Sequence, residues 1–262
     1  MSKALLVVSF GTSVAETREK TITAIEREVQ SAFPERTFYR AWTSGYLRNR
    51  LREKGELLVD APAEALERML REGVTDLLVQ PTHMLPGKEF NDGILKTLEQ
   101  WKGHFDWIAL GAPLLAEQGD VETLADILEQ IFSSLVGERN LLALMGHGSS
   151  ASVCNPYLQL GELLEKKGLG RFCVGTVEHC PGFAPVVQRA KLLRPDKIYL
   201  APLMVVAGEH ALHDLAGRTE DSWRSRLERE GFQQIVPLLK GLGEYPALRE
   251  MYIAHARNAT IL

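Results

Sequence analysis

Two stretches far apart in the chain have the same form. "LLVVSFGTS" (5–13) and "LLALMGHGSS" (141–150) are each an apolar run that stops at a loop of glycine and hydroxyl residues. A short apolar run bounded by turn residues is the pattern of a parallel strand buried on both faces. The likeness continues downstream. "RTFYRAWTS" (36–44) is matched by "GRFCVGTVEH" (170–179), and "VTDLLVQPTHMLPGKEFND" (74–92) by "PDKIYLAPLMVVAGEHALHD" (195–214). In the last pair an acid precedes an apolar strand, which leads to a proline, a short apolar stretch and a glycine. Such a repeat restricts the chain to two similar lobes, each built as one supersecondary unit.

Helical patterns lie between the strands. Ile22, Ile25, Val29 and Phe33 recur at helical spacing within 16–33, and 61–72 has Pro62 near its first turn and Gly73 beyond its end. The order βαβαβ predicts an α/β fold with a parallel sheet flanked by helices in each lobe. The boundary is expected in "GERN" (137–140), giving lobes 1–138 and 139–262 with a ligand cleft between them. The last helix, about 244–257, is free to pack across onto the first lobe.

Composition narrows the function classes. Hydrophobic residues at 45% and charged residues at 24% suit a soluble chain with a sizeable core. With 30 basic against 34 acidic side chains, the net charge of −4 argues against a general nucleic-acid binder and leaves room for a local basic pocket. Cys154, Cys173 and Cys180 are odd in number and form no CxxC pair, which argues for a reducing compartment rather than a disulfide framework. "ALLVVSF" (4–10) is too short to span a bilayer and lacks a following cleavage site. No other run is long enough, so the cytoplasm is expected and no membrane partner. There is no Walker-type phosphate loop.

If the strands are parallel, their C-terminal ends share one sheet edge, where open α/β folds bind ligands. His147, Glu178 and His210 each follow such an end. Two imidazoles and a carboxylate suit a first-row divalent ion and leave coordination positions open. Aligning Pro81 with Pro202 sets Gly87 against Gly208 and Glu89 against His210, while Phe10 faces His147 and about Thr43 faces Glu178. The complete ligand set therefore occurs once. Other readings stay open: "GHGSS" could bind an anion through backbone N–H groups, and Glu178 could cap a helix beginning near Pro181. His179 and His213 compete with Glu178 and His210, and His83 is a further candidate. Cys173 reads as core packing. Cys180, beside Glu178 and His179, reads as structural or soft-metal sensing, and Cys154 only begins a helix. Of the tryptophans, Trp42 is the one that follows a strand toward the cleft.

Taken in order, "VVSFGTS", "PTHMLPGKEFND", "MGHGSS", "GTVEHCPG" and "PLMVVAGEHALHDLAG" closely resemble the anaerobic, ATP-independent class II cobalt chelatases of cobalamin biosynthesis, the CbiK family, related in fold to ferrochelatase. The resemblance implies insertion of Co²⁺ into sirohydrochlorin, a polycarboxylate tetrapyrrole, with no organic cofactor and with Co²⁺ as substrate metal. It matches the family's metal-binding histidines to His147 and His210, its metal-site glutamate to Glu178, and its other active-site carboxylate to Glu89. On that basis His210 is ligand and proton acceptor, His147 and Glu178 present the ion, and Glu89 relays protons or orients the ring. The ring's carboxylates need cations, and "YLRNRLREKG" (46–55) supplies Arg48, Arg50, Arg52 and Lys54, with Lys88, Arg218 and Trp42 as further substrate-binding candidates. The same arginines also fit a solvated helix face. A homo-oligomer is the family expectation. The alternatives are iron or nickel insertion by the same fold, a metal or tetrapyrrole carrier without turnover, and a metal-dependent hydrolase. Ligand types alone do not separate Co²⁺ from Fe²⁺ or Ni²⁺.

Overall fold

The computed structural model describes residues 2–148 and 155–262. Cys154 and the two serines of "GHGSS" lie outside the described residues. The chain divides into two compact units, residues 1–117 with 243–262 and residues 118–242.

The first unit is built on strands β1 (Ser2–Ser9), β2 (Thr37–Trp42), β3 (Val74–Pro81) and β4 (Trp107–Leu110), ordered β2-β1-β3-β4 and all parallel. The short strand Thr260–Ile261 adds antiparallel to β4. In the second unit β5 (Leu141–Gly146), β6 (Phe172–Thr176), β7 (Ile198–Pro202) and β8 (Ile235–Pro237) take the equivalent order β6-β5-β7-β8, again all parallel. The last six residues of β1 and all six of β5 are buried, as expected of central strands covered on both faces. In both orders the chain leaves the central strand for one side and returns on the other. That reversal creates a crevice at the carboxyl ends of β1 and β3, and likewise of β5 and β7.

The helix expected over 16–33 is two helices, Ala15–Lys20 and Ile22–Ala32, broken at Thr21, whose hydroxyl donates to the Thr17 carbonyl at 2.6 Å. Ile22, Ile25 and Val29 are buried as the spacing requires. The helix Pro62–Arg71 starts at its proline, and the Glu64 carboxylate accepts the Ala61 N–H at 2.6 Å. Between β2 and this helix stands a further helix, Gly45–Glu53, capped by Ser44, whose Oγ accepts from the Leu47 N–H at 3.3 Å. The second unit has no helix at the corresponding place, between β6 and the helix Ala184–Leu193.

The second unit begins at Gln118 and includes the helix Asp120–Val136, so the break falls before this helix rather than near 138. Its apolar face packs on β5 and on the helix Asn155–Lys166, which explains the grouping. The last helix, Pro246–Arg257, belongs to the first unit. There it buries Leu248, Met251 and Tyr252, and the Tyr252 hydroxyl donates to the Thr82 carbonyl at 3.0 Å. Among the described residues no helix is long and apolar enough to cross a membrane.

Candidate metal centre

Backbone pairing between β5 and β6 continues past the ends of the strands. Val177 N–H donates to the Gly146 carbonyl at 3.0 Å and Glu178 N–H to the His147 carbonyl at 3.0 Å. His147 and Glu178 are therefore neighbours by register. On the other side of β5, Leu203 N–H donates to the Met145 carbonyl at 2.7 Å and starts the loop that carries His210.

Both glycines around His147 are required by packing. A Cβ at Gly146 would lie 2.6 Å from the Tyr157 ring, and one at Gly148 would lie 1.9 Å from the Glu178 carbonyl oxygen. Gly148 also has φ +100°, a conformation other residues adopt only at a cost. Tyr157 is buried beneath the loop, where burial pushes its hydroxyl up to about 12 while the His147 and Gly148 amides hydrogen-bond to its oxygen. The result is a loop held from below, with an exposed imidazole on top.

His210 precedes a π-helical turn, Ala211–Leu215, closed by the Ala216 N–H donating to the Ala211 carbonyl at 3.2 Å. Single π-turns within helices are frequent at functional sites. The His147 and His210 rings meet edge to face, with centroids 4.7 Å apart and planes at 86°. On its far side His210 Nδ1 lies 2.6 Å from Asp214 Oδ2. His213 is differently engaged: its Nε2 is 3.0 Å from Glu209 Oε2 and its side chain is 67% exposed. The histidine stacked on His147 is thus His210.

Glu178 is exposed, with Oε2 3.8 Å from His179 Nε2. It caps no helix, because the next one begins at Ala184 with no side-chain cap. Cys180 is partly buried, while Cys173 lies in the β6 core, where burial pushes its thiol up to about 11.

The edge of the first sheet repeats this frame. Thr43 N–H donates to the Ser9 carbonyl at 2.9 Å, Ser44 N–H to Phe10 at 3.2 Å, and Thr82 N–H to Val8 at 2.8 Å. This register sets Phe10 against His147, as aligned, but sets Ser44, not Thr43, against Glu178. Glu89 is exposed in the short helix Lys88–Phe90, just before a second π-turn, Asn91–Leu95. His83 sits with Nε2 3.5 Å from Thr43 Oγ1, and burial lowers it to about 4, so the imidazole is neutral at working pH.

The expected substrate residues are scattered. Trp42 is a correction: it is 0% exposed, a core side chain against which Gly11 packs so closely that a Cβ there would lie 2.5 Å from the ring. It offers no face for a ligand. Arg48, only 15% exposed, pairs with Glu64 at 3.2 Å, whereas Arg50 is half-buried and Arg52 exposed on the same helix. Lys54 pairs with Glu56 at 3.7 Å. Lys88 is exposed beside Glu89, and exposed Arg218 lies 3.5 Å from Glu228. Two residues of the site were missed from sequence, Tyr157 and Asp214. The second had a signal, an acid four residues after His210 in "HALHD".

The cobalt chelatase (CbiK) family model matches residues 3–261. A sirohydrochlorin cobaltochelatase of Salmonella typhimurium is 36% identical over 261 residues, covering 99% of this chain and 97% of the relative. Sirohydrochlorin cobaltochelatase CbiKC of Nitratidesulfovibrio vulgaris is 29% identical over 259 residues, covering 98% and 90%. Among solved structures, SirB from Bacillus subtilis with Fe³⁺ matches 98% of this chain and 95% of its own at a TM-score of 0.64 and 14% identity, a likeness of fold.

Proposed function

The chain belongs to the cobalt chelatase (CbiK) family, and from that premise we propose that the two imidazoles at its second sheet edge hold the ion it inserts. The reaction is the insertion of cobalt into sirohydrochlorin, performed by a chelatase acting on a metal ion and a tetrapyrrole without an organic cofactor. Metalation removes two pyrrole N–H protons and passes the ion to the ring nitrogens. The protein must therefore hold the ion loosely and take up protons nearby.

The observation that carries the assignment is the edge-to-face pair of His147 and His210 at 4.7 Å, on the loops after β5 and β7. Those strands flank the topological reversal of the second sheet. Glu178, tied to the His147 carbonyl through its own N–H, is the third ligand. Two nitrogens and one oxygen leave positions open through which the ion can pass to the ring. His210 accepts the first proton, its imidazole being the base set beside the ion. Glu89, exposed at the matching place on the first unit, is assigned the proton relay. Arg50, Lys88 and Arg218 are assigned to the ring's carboxylates, with Arg48 drawn from its Glu64 pair.

The cytoplasm is the inferred setting, supported by the free thiols of Cys173 and Cys180, and the inferred assembly is a homo-oligomer. An anaerobic absorbance time course with sirohydrochlorin and Co²⁺ tests the assignment, with Fe²⁺ and Ni²⁺ in parallel. Catalysed insertion, fastest with Co²⁺ and slowed about 10²–10⁴-fold in His210→Ala, is expected. Unchanged turnover in that variant would refute the role of His210, and faster turnover with Fe²⁺ would change the metal.

A further inference from the structure

His210 is held from behind. Its Nδ1 lies 2.6 Å from Asp214 Oδ2, one turn further along the chain. We propose that Asp214 is a positioning residue of the metal site, fixing the His210 tautomer whose Nε2 lone pair is available to the ion. This rests on the reading of His210 as a ligand.

An ionised carboxylate can only accept a hydrogen bond, so a neutral His210 must donate from Nδ1. Nε2 is then the unprotonated nitrogen, the one able to bind a metal or take a proton from the ring. A carboxylate behind a metal-binding imidazole also fixes its orientation. The turn is built to keep this contact. Ala211 and Leu215 are fully buried and anchor it. Gly217 closes it by donating to the His213 carbonyl at 3.1 Å, where a Cβ would lie 2.2 Å from that oxygen.

Two comparisons single out Asp214. Glu209 and His213 are also four residues apart, yet there the carboxylate engages Nε2, the nitrogen that the His210 pair leaves open. In the first unit, the alignment that sets Glu89 against His210 sets Gly93 against Asp214, and a Cβ at Gly93 would already lie 3.2 Å from Thr43 Cγ2. The buttressing carboxylate thus occurs where the histidine occurs and is absent from the otherwise matching loop.

The test compares the wild-type chain with Asp214→Asn, Asp214→Ala and His210→Ala. Anaerobic titration with Co²⁺ alone reads affinity, and ¹⁵N NMR of histidine-labelled protein reads the ring tautomers. Asp214→Asn and Asp214→Ala should each weaken Co²⁺ binding by about 10–100-fold, and the His210 nitrogens should leave the Nδ1–H pattern. Asp214 is 43% exposed, so a general loss of fold is not expected, and the NMR spectrum reports it directly. Wild-type affinity in either Asp214 variant, or an unchanged His210 tautomer, would overturn the proposal. Wild-type affinity in His210→Ala would instead overturn the reading of His210 as ligand.

Discussion

At the edge of the first sheet, Thr43 and Ser44 donate to the carbonyls of Ser9 and Phe10; at the edge of the second, Val177 and Glu178 donate to those of Gly146 and His147. Gly11 has φ +109° where Gly148 has φ +100°. After the third strand of each sheet, Asn91 N–H donates to Gly87 at 2.9 Å and Leu212 N–H to Gly208 at 3.1 Å, and a π-turn follows in both. The backbone frame is shared, but the side chains mounted on it are not. One frame presents Phe10, Ser44 and Glu89, and the other presents His147, Glu178 and His210. The fold supplies positions at a sheet edge, and the chemistry depends on what occupies them. The basic run Arg48–Arg52 adds a second asymmetry, because it stands on the helix Gly45–Glu53, which has no counterpart among the described residues of the second unit.

If the two edges divide the work in this way, substitutions at matched positions should have unequal effects. The widest gap is expected between His210 and Glu89. Against the loss of about 10²–10⁴-fold in rate together with lost Co²⁺ binding expected of His210→Ala, Glu89→Ala should slow insertion by about 10²-fold, the low end for a proton-transfer group, and leave Co²⁺ affinity unaltered. Titration of both variants with Co²⁺, beside their initial rates, checks this. Equal loss of Co²⁺ affinity would mean that both edges bind the ion.

The glycines offer a smaller and different contrast. Gly148→Ala meets backbone, the Glu178 carbonyl at 1.9 Å, whereas Gly11→Ala meets the side chain of Trp42 at 2.5 Å; both are at positive φ. Each should destabilise its unit, by about 2–4 kcal/mol for Gly148 and about 1–3 kcal/mol for Gly11. Only Gly148→Ala should also weaken Co²⁺ binding, because it pushes Glu178 away from His147. Urea unfolding combined with Co²⁺ titration reads both effects. Weakened Co²⁺ binding in Gly11→Ala would show that the edges are not independent.

Most of this frame was legible in the sequence, because duplication and periodicity are local signals. The strand runs, the proline and glycine punctuation around 61–73 and the places of His147, Glu178 and His210 just past strand ends all have short-range causes. What escaped depends on three-dimensional packing. Trp42 lies where a cleft residue could lie, and only the close approach of Gly11 makes it core. The helix Asp120–Val136 precedes the second repeat in sequence but packs on β5, so the repeat boundary and the packing boundary differ. Tyr157 gives no sign in sequence that it supports the His147 loop, since that role comes from a helix meeting a glycine. Asp214 was within reach through its spacing from His210, but a choice between His210 and His213 obscured it.

The last contrast concerns the histidines themselves. The first unit also has one just past its third strand, His83, but no carboxylate stands behind it among the described residues: Nδ1 is buried without a partner, and Nε2 faces Thr43 at 3.5 Å. Desolvation therefore lowers it from 6.5 to about 4. The unfolded chain takes up this proton as pH falls through 6.5, while the folded chain refuses it until about 4. His83 thus favours folding fully above 6.5, and that contribution is lost as pH falls from there toward 4. Part of the ring still meets solvent, so the loss at pH 5 should be about 1–2 kcal/mol. Replacing His83 by Gln removes the titrating group, and the fall in urea midpoint between pH 7.5 and pH 5 should shrink accordingly. An undiminished fall would place the acid sensitivity elsewhere in the chain.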